Sequence, residues 1–332
     1  MLSVETSEQA DSRWNKRLLE TGLGTIFQTE ERSKLLELTN VKTIFLKFID
    51  SKGSIVGQVL LEESPRFSNN DKKSKFFKNI PGLKKKSFNW TYGPVIFEKN
   101  DSEKIYSSLN NYLISEKAVP NGWSNPIYSG EPSAMKKKFQ VVNWGTYLIN
   151  LEKPTDELYQ NIDKSNGRKN IERSKKRGVE IEQITENNLD DFFDLVLKNR
   201  NFSTDEEHER KVLHLRWKLF KPLGFSGYLA KRSGMPVGGL LFSYVNGHII
   251  EAGVARSIED SKENLYSQDL IKWKIIEWGS KNNMKYFNLA GFNPNPKSEK
   301  EIGIQKYKKK WGGSPYYFHR ILSKPAPWKK RI

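Results

Sequence analysis

Basic side chains dominate the chemistry that this chain offers. Its 332 residues include 56 lysines and arginines against 39 acidic residues, a formal charge of +17. In the stretch 168–177, Lys169 with Arg173, and Arg173 with Lys176, fall on neighbouring helical turns and form a stripe that could follow a nucleic acid backbone. The excess favours polyanionic partners such as tRNA, nucleotide-linked substrates or an anionic membrane surface. Solvated surface charge explains it equally well.

Several kinds of site are excluded by residue type. The chain has no cysteine, which rules out disulfides, thiolate nucleophiles and thiolate metal ligands. Its four histidines do not have the spacing of metal ligands, and we expect neither a metal nor another cofactor. The first residues lack a secretory signal, and no apolar run approaches the ~20 residues of a membrane-spanning helix. We expect a cytoplasmic protein and favour a monomer.

A carboxylate lies at the start of the last long helix that the sequence predicts. Gln268, Asp269 and Trp273 fall in the first turns of this helix, predicted at 265–281. Asp269 could orient an attacking ammonium group or accept its proton, as in general base catalysis. An acid at this position more commonly interacts with the helix dipole, and both interpretations stay open.

A repeated hairpin pattern must position these residues. Segment 48–61 aligns without gaps on segment 229–242, so that Gly53 matches Gly234 and Gly57 matches Gly238. Each copy predicts an apolar strand, a turn whose glycine can adopt a positive φ, and a second strand with a glycine near its start. Because the flanking elements also correspond in order and type, we interpret the pattern as a duplication.

The element order predicts the fold class. The first half continues with a strand at 92–97 and a helix at 102–117; the second continues with a strand at 248–254, the helix at 265–281 and a strand at 286–289. GNAT-class N-acyltransferases share this order. We predict an α/β (α+β) fold of two tandem GNAT-like domains, 1–140 and 141–332. Each would be a mixed, twisted sheet flanked by helices.

The segment before the predicted helix at 265–281 bears on the acyl donor. GNAT enzymes that use acyl-CoA hold its pyrophosphate on backbone N–H groups at this place, commonly in a glycine-containing loop. Segment 256–270 has no glycine, and Glu259, Asp260 and Glu263 would repel a pyrophosphate. This weakens the acyl-CoA hypothesis.

Four stretches of sequence, spread along nearly the whole chain, match a known family pattern. They are Ile26-Phe-Gln-Thr29; Tyr92-Gly-Pro-Val95; Trp144-Gly-Thr-Tyr-Leu-Ile-Asn-Leu151 with Asn170-Ile-Glu-Arg-Ser-Lys-Lys-Arg-Gly-Val179; and Phe287-Asn-Leu-Ala-Gly291 with Gly303-Ile-Gln-Lys-Tyr-Lys-Lys-Lys-Trp-Gly-Gly313. The last is the most specific, since it resembles the family's Phe-Lys-x-x-Phe-Gly-Gly signature. The chain therefore resembles the Fem family of aminoacyl-tRNA-dependent peptide-bridge transferases.

Two positions depart from the pattern: Asn288 stands where aspartate is usual, and Tyr92 where arginine often precedes Gly-Pro. Residues 200–227 are also too few for the long helical arm of some members, at ~1.5 Å of helix per residue. The resemblance is therefore to the compact members, which lack the arm.

The resemblance implies roles for particular residues. Lys308 occupies the signature lysine and would stabilise the tetrahedral oxyanion or hold a terminal phosphate of tRNA, while Tyr307 and Trp311 would stack on the terminal adenine. Lys34 and Arg200 match positions that contact the diphosphate of a nucleotide-linked acceptor. We also count Tyr92, Gly93, Gln268 and Asn288 as substrate-binding candidates. A surface lysine, core aromatics and solvated helix ends remain the structural alternatives.

The favoured function is therefore an aminoacyltransferase. It would move an amino acid from aminoacyl-tRNA to an amine of a peptide-bearing, cell-wall-type precursor that is nucleotide- or lipid-linked, without a metal or covalent intermediate. One alternative is an N-acyltransferase that uses acyl-CoA or an acyl-carrier protein. Another is an inert RNA-binding protein on a degenerate transferase scaffold, suggested by the charge and by Asn288.

Overall fold

The computed structural model describes residues 2–65, 86–127, 130–198 and 205–324, which form two compact units. The first comprises Met1–Trp144 and Tyr317–Ile332, and the second comprises Gly145–Tyr316. The last strand of the chain thus belongs largely to the first unit, whereas the sequence analysis assigned all of 141–332 to one domain. No helix in the described ranges is long and apolar enough to cross a membrane.

The helices and strands are numbered here in chain order. They are β1 (Ser3–Ser7), α1 (Trp14–Glu20), α2 (Glu30–Glu37), β2 (Lys42–Ile49), β3 (Ile55–Pro65), β4 (Lys86–Trp90), β5 (Val95–Ile96), α3 (Ser102–Ser115), β6 (Val119–Trp123), β7 (Phe139–Asn150), α4 (Thr155–Asn161), α5 (Lys169–Lys176), β8 (Val179–Gln183), α6 (Leu189–Leu197), α7 (Glu206–Phe220), β9 (Phe225–Arg232), β10 (Met235–Ser243), β11 (His248–Arg256), α8 (Ile258–Lys262), α9 (Ser267–Lys281), β12 (Tyr286–Phe292), α10 (Glu299–Lys309) and β13 (Ser314–Ser323).

The two units repeat one sheet topology. Strands of the first unit follow the order β1-β2-β3-β4-β6-β13, and those of the second follow β8-β9-β10-β11-β12-β7. In each, neighbours are antiparallel except for one pair, β4 with β6 and β11 with β12, which are parallel and joined by a crossover helix. The expected tandem α/β fold with mixed sheets is confirmed.

The repeated hairpin predicted from the sequence is β2–β3 in the first unit and β9–β10 in the second. Gly53 and Gly234 adopt φ values of +82° and +78° in the two turns, which a residue with a Cβ rarely adopts. Each hairpin also carries a bulge at the matched position, because the registers shift around Val56 and Val237. A shared irregularity of this kind supports duplication more strongly than the shared turns do.

The matched glycines Gly57 and Gly238 allow a helix to approach each hairpin. A Cβ added to Gly57 would lie 2.7 Å from Ile105 Cδ1 of α3, and one added to Gly238 would lie 2.3 Å from Ser267 Oγ of α9. Helices α3 and α9 are the corresponding crossover helices. The same backbone position thus sets the helix-to-sheet distance in both units.

One strand differs from the sequence prediction. The strand that follows the hairpin in the first unit is β4 (Lys86–Trp90), and only Val95–Ile96 of the predicted 92–97 is extended and paired, with β3. Tyr92 has a φ of +54°, which interrupts an extended chain. An apolar pattern alone does not reveal such a reversal.

Alanine at Gly57 or Gly238 is expected to lower the free energy of unfolding by about 1–3 kcal/mol, the usual range for overpacking. Denaturant titration of each variant measures the loss. Gly303→Ala is the control, because no atom lies within 4 Å of its added Cβ in α10; it is expected to stabilise by about 0.5–1 kcal/mol. Equal midpoints for all three variants would contradict the close approach.

Candidate active site

The ladder between β11 and β12 stops early in the second unit. These parallel strands pair only from His248–Tyr286 to Ile250–Asn288, although β11 runs on to Arg256 and β12 to Phe292. The register of β12 against β7 shifts between Asn288 and Gly291, and Ala290 has a φ of +62°. Carboxyl ends of parallel strands commonly form binding sites in α/β proteins.

Asn288 fixes the bulge in β12. Its Oδ1 accepts hydrogen bonds from Thr146 Oγ1 at 2.6 Å and from the backbone N–H of Ala290 at 2.9 Å. Its side chain is 1% exposed, and Nδ2 has no hydrogen-bond partner in the described part of the chain. The residue that departs from the family pattern therefore shapes the strand end and retains a buried donor.

Lys308 reaches this strand end from α10. The helix begins with a capping box formed by Ser298 and Glu301, which satisfies otherwise unpaired N–H groups. Lys308 Nζ donates to the Gly291 carbonyl at 2.7 Å. Burial lowers the pKa of Lys308 to about 8, because the ammonium loses hydration. Glu251 opposes this pKa shift and Lys272 adds to it.

A buried ion pair lies beside Lys308. Lys272 of α9 pairs with Glu251, the first residue of β11 beyond its ladder with β12. Their side chains are 5% and 13% exposed. Removal of either partner would leave a charge with little hydration, which is strongly destabilising.

A second buried pair joins α10 to α9. Lys310 Nζ donates to Asp269 Oδ1 at 2.6 Å, with side-chain exposures of 9% and 5%. Asp269 Oδ2 accepts from Asn170 Nδ2 of α5 at 2.9 Å. Burial lowers the pKa of Lys310, although the negative charge of Asp269 acts to raise it. The Asp269 carboxylate, expected to contact the attacking amine, is thus engaged by two side chains.

Tyr307 packs among these charges. Lys310 Nζ lies 4.2 Å and Lys272 Nζ 5.8 Å from the centre of its ring, within cation–π range. Burial, and then the nearby negative charges of Asp269 and Glu251, raise the pKa of the Tyr307 hydroxyl well above its usual value. The hydroxyl therefore stays protonated at neutral pH.

Trp311 and the two following glycines pack the end of α10 against the rest of the second unit. The Trp311 ring is 1% exposed and belongs to the hydrophobic core, so in this conformation it offers no face to an adenine. A Cβ added to Gly312 would lie 2.5 Å from the Asn161 carbonyl oxygen, and one added to Gly313 would lie 2.8 Å from the Leu148 carbonyl oxygen. The Gly-Gly pair thus allows close backbone packing.

Side chains of the protein occupy the hydrogen-bonding groups at the start of α9. The backbone N–H of Ser267 donates to Asp260 Oδ1 at 2.9 Å, and the Asp260 carboxylate, which is fully buried, also pairs with Arg256. Gln268 Nε2 donates to the carbonyls of Ala255 at 2.8 Å and Gly239 at 3.2 Å. Gln268 therefore anchors the helix to β10 and β11.

The remaining candidates belong to the first unit or lie outside the described residues. Lys34 is exposed on α2 and pairs with Glu30 at 2.7 Å. Tyr92 is 7% exposed and makes edge contacts with the rings of Phe27 and Phe318. Gly93 packs against Gln28, a fully buried residue of the Ile26-Phe-Gln-Thr29 motif. Arg200 lies outside the described residues.

Glu251 and Lys272 were not predicted from the sequence as site residues. Glu251 interrupts the apolar strand His-Ile-Ile-Glu-Ala-Gly-Val, and Lys272 interrupts the apolar run Leu-Ile-Lys-Trp of α9. Charged residues inside buried runs are rarely tolerated without partners. That pattern could have identified the Glu251–Lys272 pair.

The fold is similar to that of several proteins of known structure. No protein-family model and no curated protein matches the chain. Among solved structures, FemX aligns with a TM-score of 0.67 at 14% identity, covering 96% of this chain and 97% of FemX. The C-terminal domain of a putative lysylphosphatidylglycerol synthetase from Agrobacterium fabrum aligns with a TM-score of 0.53 at 10% identity, covering 95% and 93% of the two chains.

A tandem GNAT protein from the clavulanic acid biosynthesis pathway aligns with a TM-score of 0.54 at 9% identity, covering 98% of this chain and all of the other. At identities this low, the similarity concerns the fold. The chain has the fold of FemX and of a tandem GNAT protein, as the resemblance to the Fem family implied.

Proposed function

We propose that this chain is an aminoacyltransferase that moves an amino acid from aminoacyl-tRNA to an amine of a peptide-bearing precursor. The observation that carries the proposal is the partly buried Lys308 ammonium at the open end of β11 and β12, in a fold shared with FemX. FemX and the synthetase domain also support an acyltransferase in general. The specific donor is argued from the residues at the start of α9.

Asp260 disfavours acyl-CoA as the donor. A helix N-terminus binds phosphate through free backbone N–H groups and the helix dipole. Here the Ser267 N–H already donates to the buried Asp260 carboxylate. A pyrophosphate at this place would have to displace that carboxylate or lie against its negative charge, which is unfavourable. An aminoacyl ester on tRNA requires no pyrophosphate cradle.

The reaction we propose has no covalent enzyme intermediate. The acceptor amine nitrogen forms a bond to the ester carbonyl carbon and gives a tetrahedral oxyanion. Collapse of this intermediate breaks the bond from carbon to the terminal ribose oxygen, and the proton lost by the amine ends on the released hydroxyl. Because the ester is already activated, positioning and charge stabilisation supply most of the rate acceleration.

Lys308 is proposed to stabilise the oxyanion. At neutral pH a group with a pKa of about 8 is mostly protonated, so Lys308 can donate a charged hydrogen bond. Within the described ranges its Nζ donates to one backbone carbonyl, at 2.7 Å, and an ammonium group has three donors. We propose that Asn288 Nδ2 adds a neutral donor at the strand end.

Asp269 is proposed to act as a positioning residue. Its carboxylate holds Lys310 and Asn170, so three elements meet at one side chain. Tyr307 completes the wall of the site beside Lys310, and Gln268 fixes the first turn of α9. The direct role in amine binding that the sequence suggested would require Asp269 to leave Lys310.

The acceptor is proposed to be a nucleotide- or lipid-linked precursor, and the enzyme to act in the cytoplasm. Lys34 and Arg200 are assigned to its diphosphate on the family resemblance, and Tyr92 and Gly93 are kept as substrate-binding candidates. Lys34 is free enough for this role, because its exposed pair with Glu30 contributes at most about 1 kcal/mol.

A donor assay tests the proposal directly. Incubation with total tRNA charged with radiolabelled amino acids is expected to give labelled peptide-bearing acceptor, whereas acetyl-CoA in a tRNA-free assay is expected to give none. The fold shared with the tandem GNAT protein makes acyl-CoA the second candidate. Transfer from acetyl-CoA alone would replace the proposed function with that one.

Lys308→Ala is expected to lower turnover more than tenfold, equivalent to at least about 1.4 kcal/mol of transition-state stabilisation. Thermal stability should change little, because the one hydrogen bond of the ammonium to a described residue is to a backbone carbonyl. Single-turnover rates measure the loss, and Lys300→Ala, exposed on the same helix, is the control. Equal rates for both variants would remove Lys308 from the site.

The pH profile distinguishes a Lys308 that acts as a cation from one that acts as a neutral base. Its contribution as a cation is complete below its pKa and is lost as the pH rises through about 8. We expect kcat/KM to fall above that pH in the wild type. In Lys308→Arg the fall should move to higher pH, because a guanidinium stays protonated. An unchanged descending limb, or a rise through pH 8 that requires Lys308, would contradict this role.

A further inference from the structure

A dense group of basic side chains lies on one surface of the second unit, next to the candidate site. A five-residue π-helical turn at Lys164–Arg168 precedes α5, and both face the last turn of α10. Single π-turns of this kind often occur at functional sites. We call this surface the basic face and define it by Arg168, Lys169, Arg173, Lys176, Lys306 and Lys309.

The charges of the basic face are not neutralised locally. None of the six residues forms an ion pair with any residue that the structure describes. Helix α5 contains one acidic residue, Glu172. Its carboxylate accepts a hydrogen bond from the Tyr159 hydroxyl and pairs with Lys175. Arg168 Nε is buried and has no hydrogen-bond partner among the described residues. An unpaired cation cluster of this density attracts a polyanion.

Two cavities follow the basic face. One of about 390 Å³ is lined by basic residues of the π-turn and α5 together with Tyr159 and Glu172. The other, of about 660 Å³, has the amide side chains of Asn161, Asn166 and Asn170 on one wall and α10 on the opposite wall. Asp163 also lines it, and its carboxylate caps the π-turn by accepting from the N–H groups of Ser165 and Asn166. Amides can hydrogen-bond sugars, phosphates and base edges.

The second cavity is continuous with the candidate site. Tyr307 and Lys310 line it, and these residues contact the buried charges around Asp269. Asn170 lines the same cavity and donates to Asp269. A ligand that lies along the basic face can therefore extend one end into the cavity that has Tyr307 in its wall, one residue before Lys308.

We propose that the basic face binds the phosphate backbone of RNA and directs its 3′ end toward Lys308. This rests on the proposed function and adds the surface on which the body of the donor tRNA lies. Lys169, Arg173 and Lys176 recur on one side of α5. A helix of eight residues extends over about 12 Å, enough to contact several phosphates of one strand.

RNA suits this surface better than an anionic membrane does. The cavity beside α10 is concave and lined by amides, which a nearly flat lipid surface cannot enter but a strand end can. Peripheral membrane helices also insert a broad apolar face, whereas the outward residues of α5 are basic or polar and its two buried residues, Ile171 and Ser174, face the protein.

Fluorescence anisotropy with labelled, deacylated tRNA tests the proposal without requiring any transfer. The triple variant Lys169→Gln/Arg173→Gln/Lys176→Gln is expected to bind at least about tenfold more weakly. The slope of log affinity against log salt should become shallower by about 1 for each phosphate that the variant no longer neutralises. The control Lys281→Gln/Lys297→Gln/Lys300→Gln removes the same charge from exposed positions of the same unit. It is expected to stay within about twofold of the wild type.

The outcomes separate the possibilities. Equally weakened binding in both triple variants would show a diffuse effect of net charge and overturn the proposal. Unchanged tRNA binding in the α5 variant, together with failure to sediment with phosphatidylglycerol vesicles that the wild type binds, would assign the face to a membrane instead. If Lys308→Ala binds tRNA normally but no charged tRNA ever supports transfer by the wild type, the proposed function fails while the RNA surface stands. Thermal melts matching the wild type confirm that the variants fold.

Discussion

The geometry of the candidate site depends on the buried ion pair between Lys310 and Asp269. It connects α10 to α9, and the Asn170 hydrogen bond connects both to α5. Because Tyr307 and Lys308 precede Lys310 within one helical turn, the same pair fixes where they lie. Removal of one partner from a pair this buried typically costs about 3–5 kcal/mol. Lys308, the lysine proposed for catalysis, is thus positioned by Lys310, whose own charge is neutralised by Asp269.

Local sequence patterns predicted the fold well wherever the controlling interactions are local. The turns of the duplicated hairpins require glycine at a positive φ, so the glycine spacing revealed both copies. The helix predicted at 102–117 is α3 (Ser102–Ser115), and that at 265–281 is α9 (Ser267–Lys281). In contrast, β13 pairs with β6, almost two hundred residues earlier in the chain. Such a distant partner leaves little trace in the local pattern.

The site was only partly predictable for a similar reason. The family signature indicated Lys308, and its motif context distinguished it from the lysines beside it. The sequence could not reveal that Lys310 pairs with Asp269, because the two are 41 positions apart and each alone looks like a solvated helix residue. Trp311 illustrates the converse: aromatic character suggested stacking, but whether a ring has an exposed face depends on tertiary packing.

The duplication explains why chemistry is expected in one unit rather than both. In the first unit the parallel pair β4–β6 stays bonded from Ser87 to Trp90, and the Gly93 N–H then donates to the Trp123 carbonyl. The buried Trp90 ring covers Gly122 so closely that an added Cβ would lie 1.8 Å from it. The corresponding pair in the second unit separates after three residues, and charged side chains surround its open end. A strand end filled by an indole has no space for an acyl group. The open strand end with charged side chains around it is therefore a feature of the second unit, where the candidate site lies.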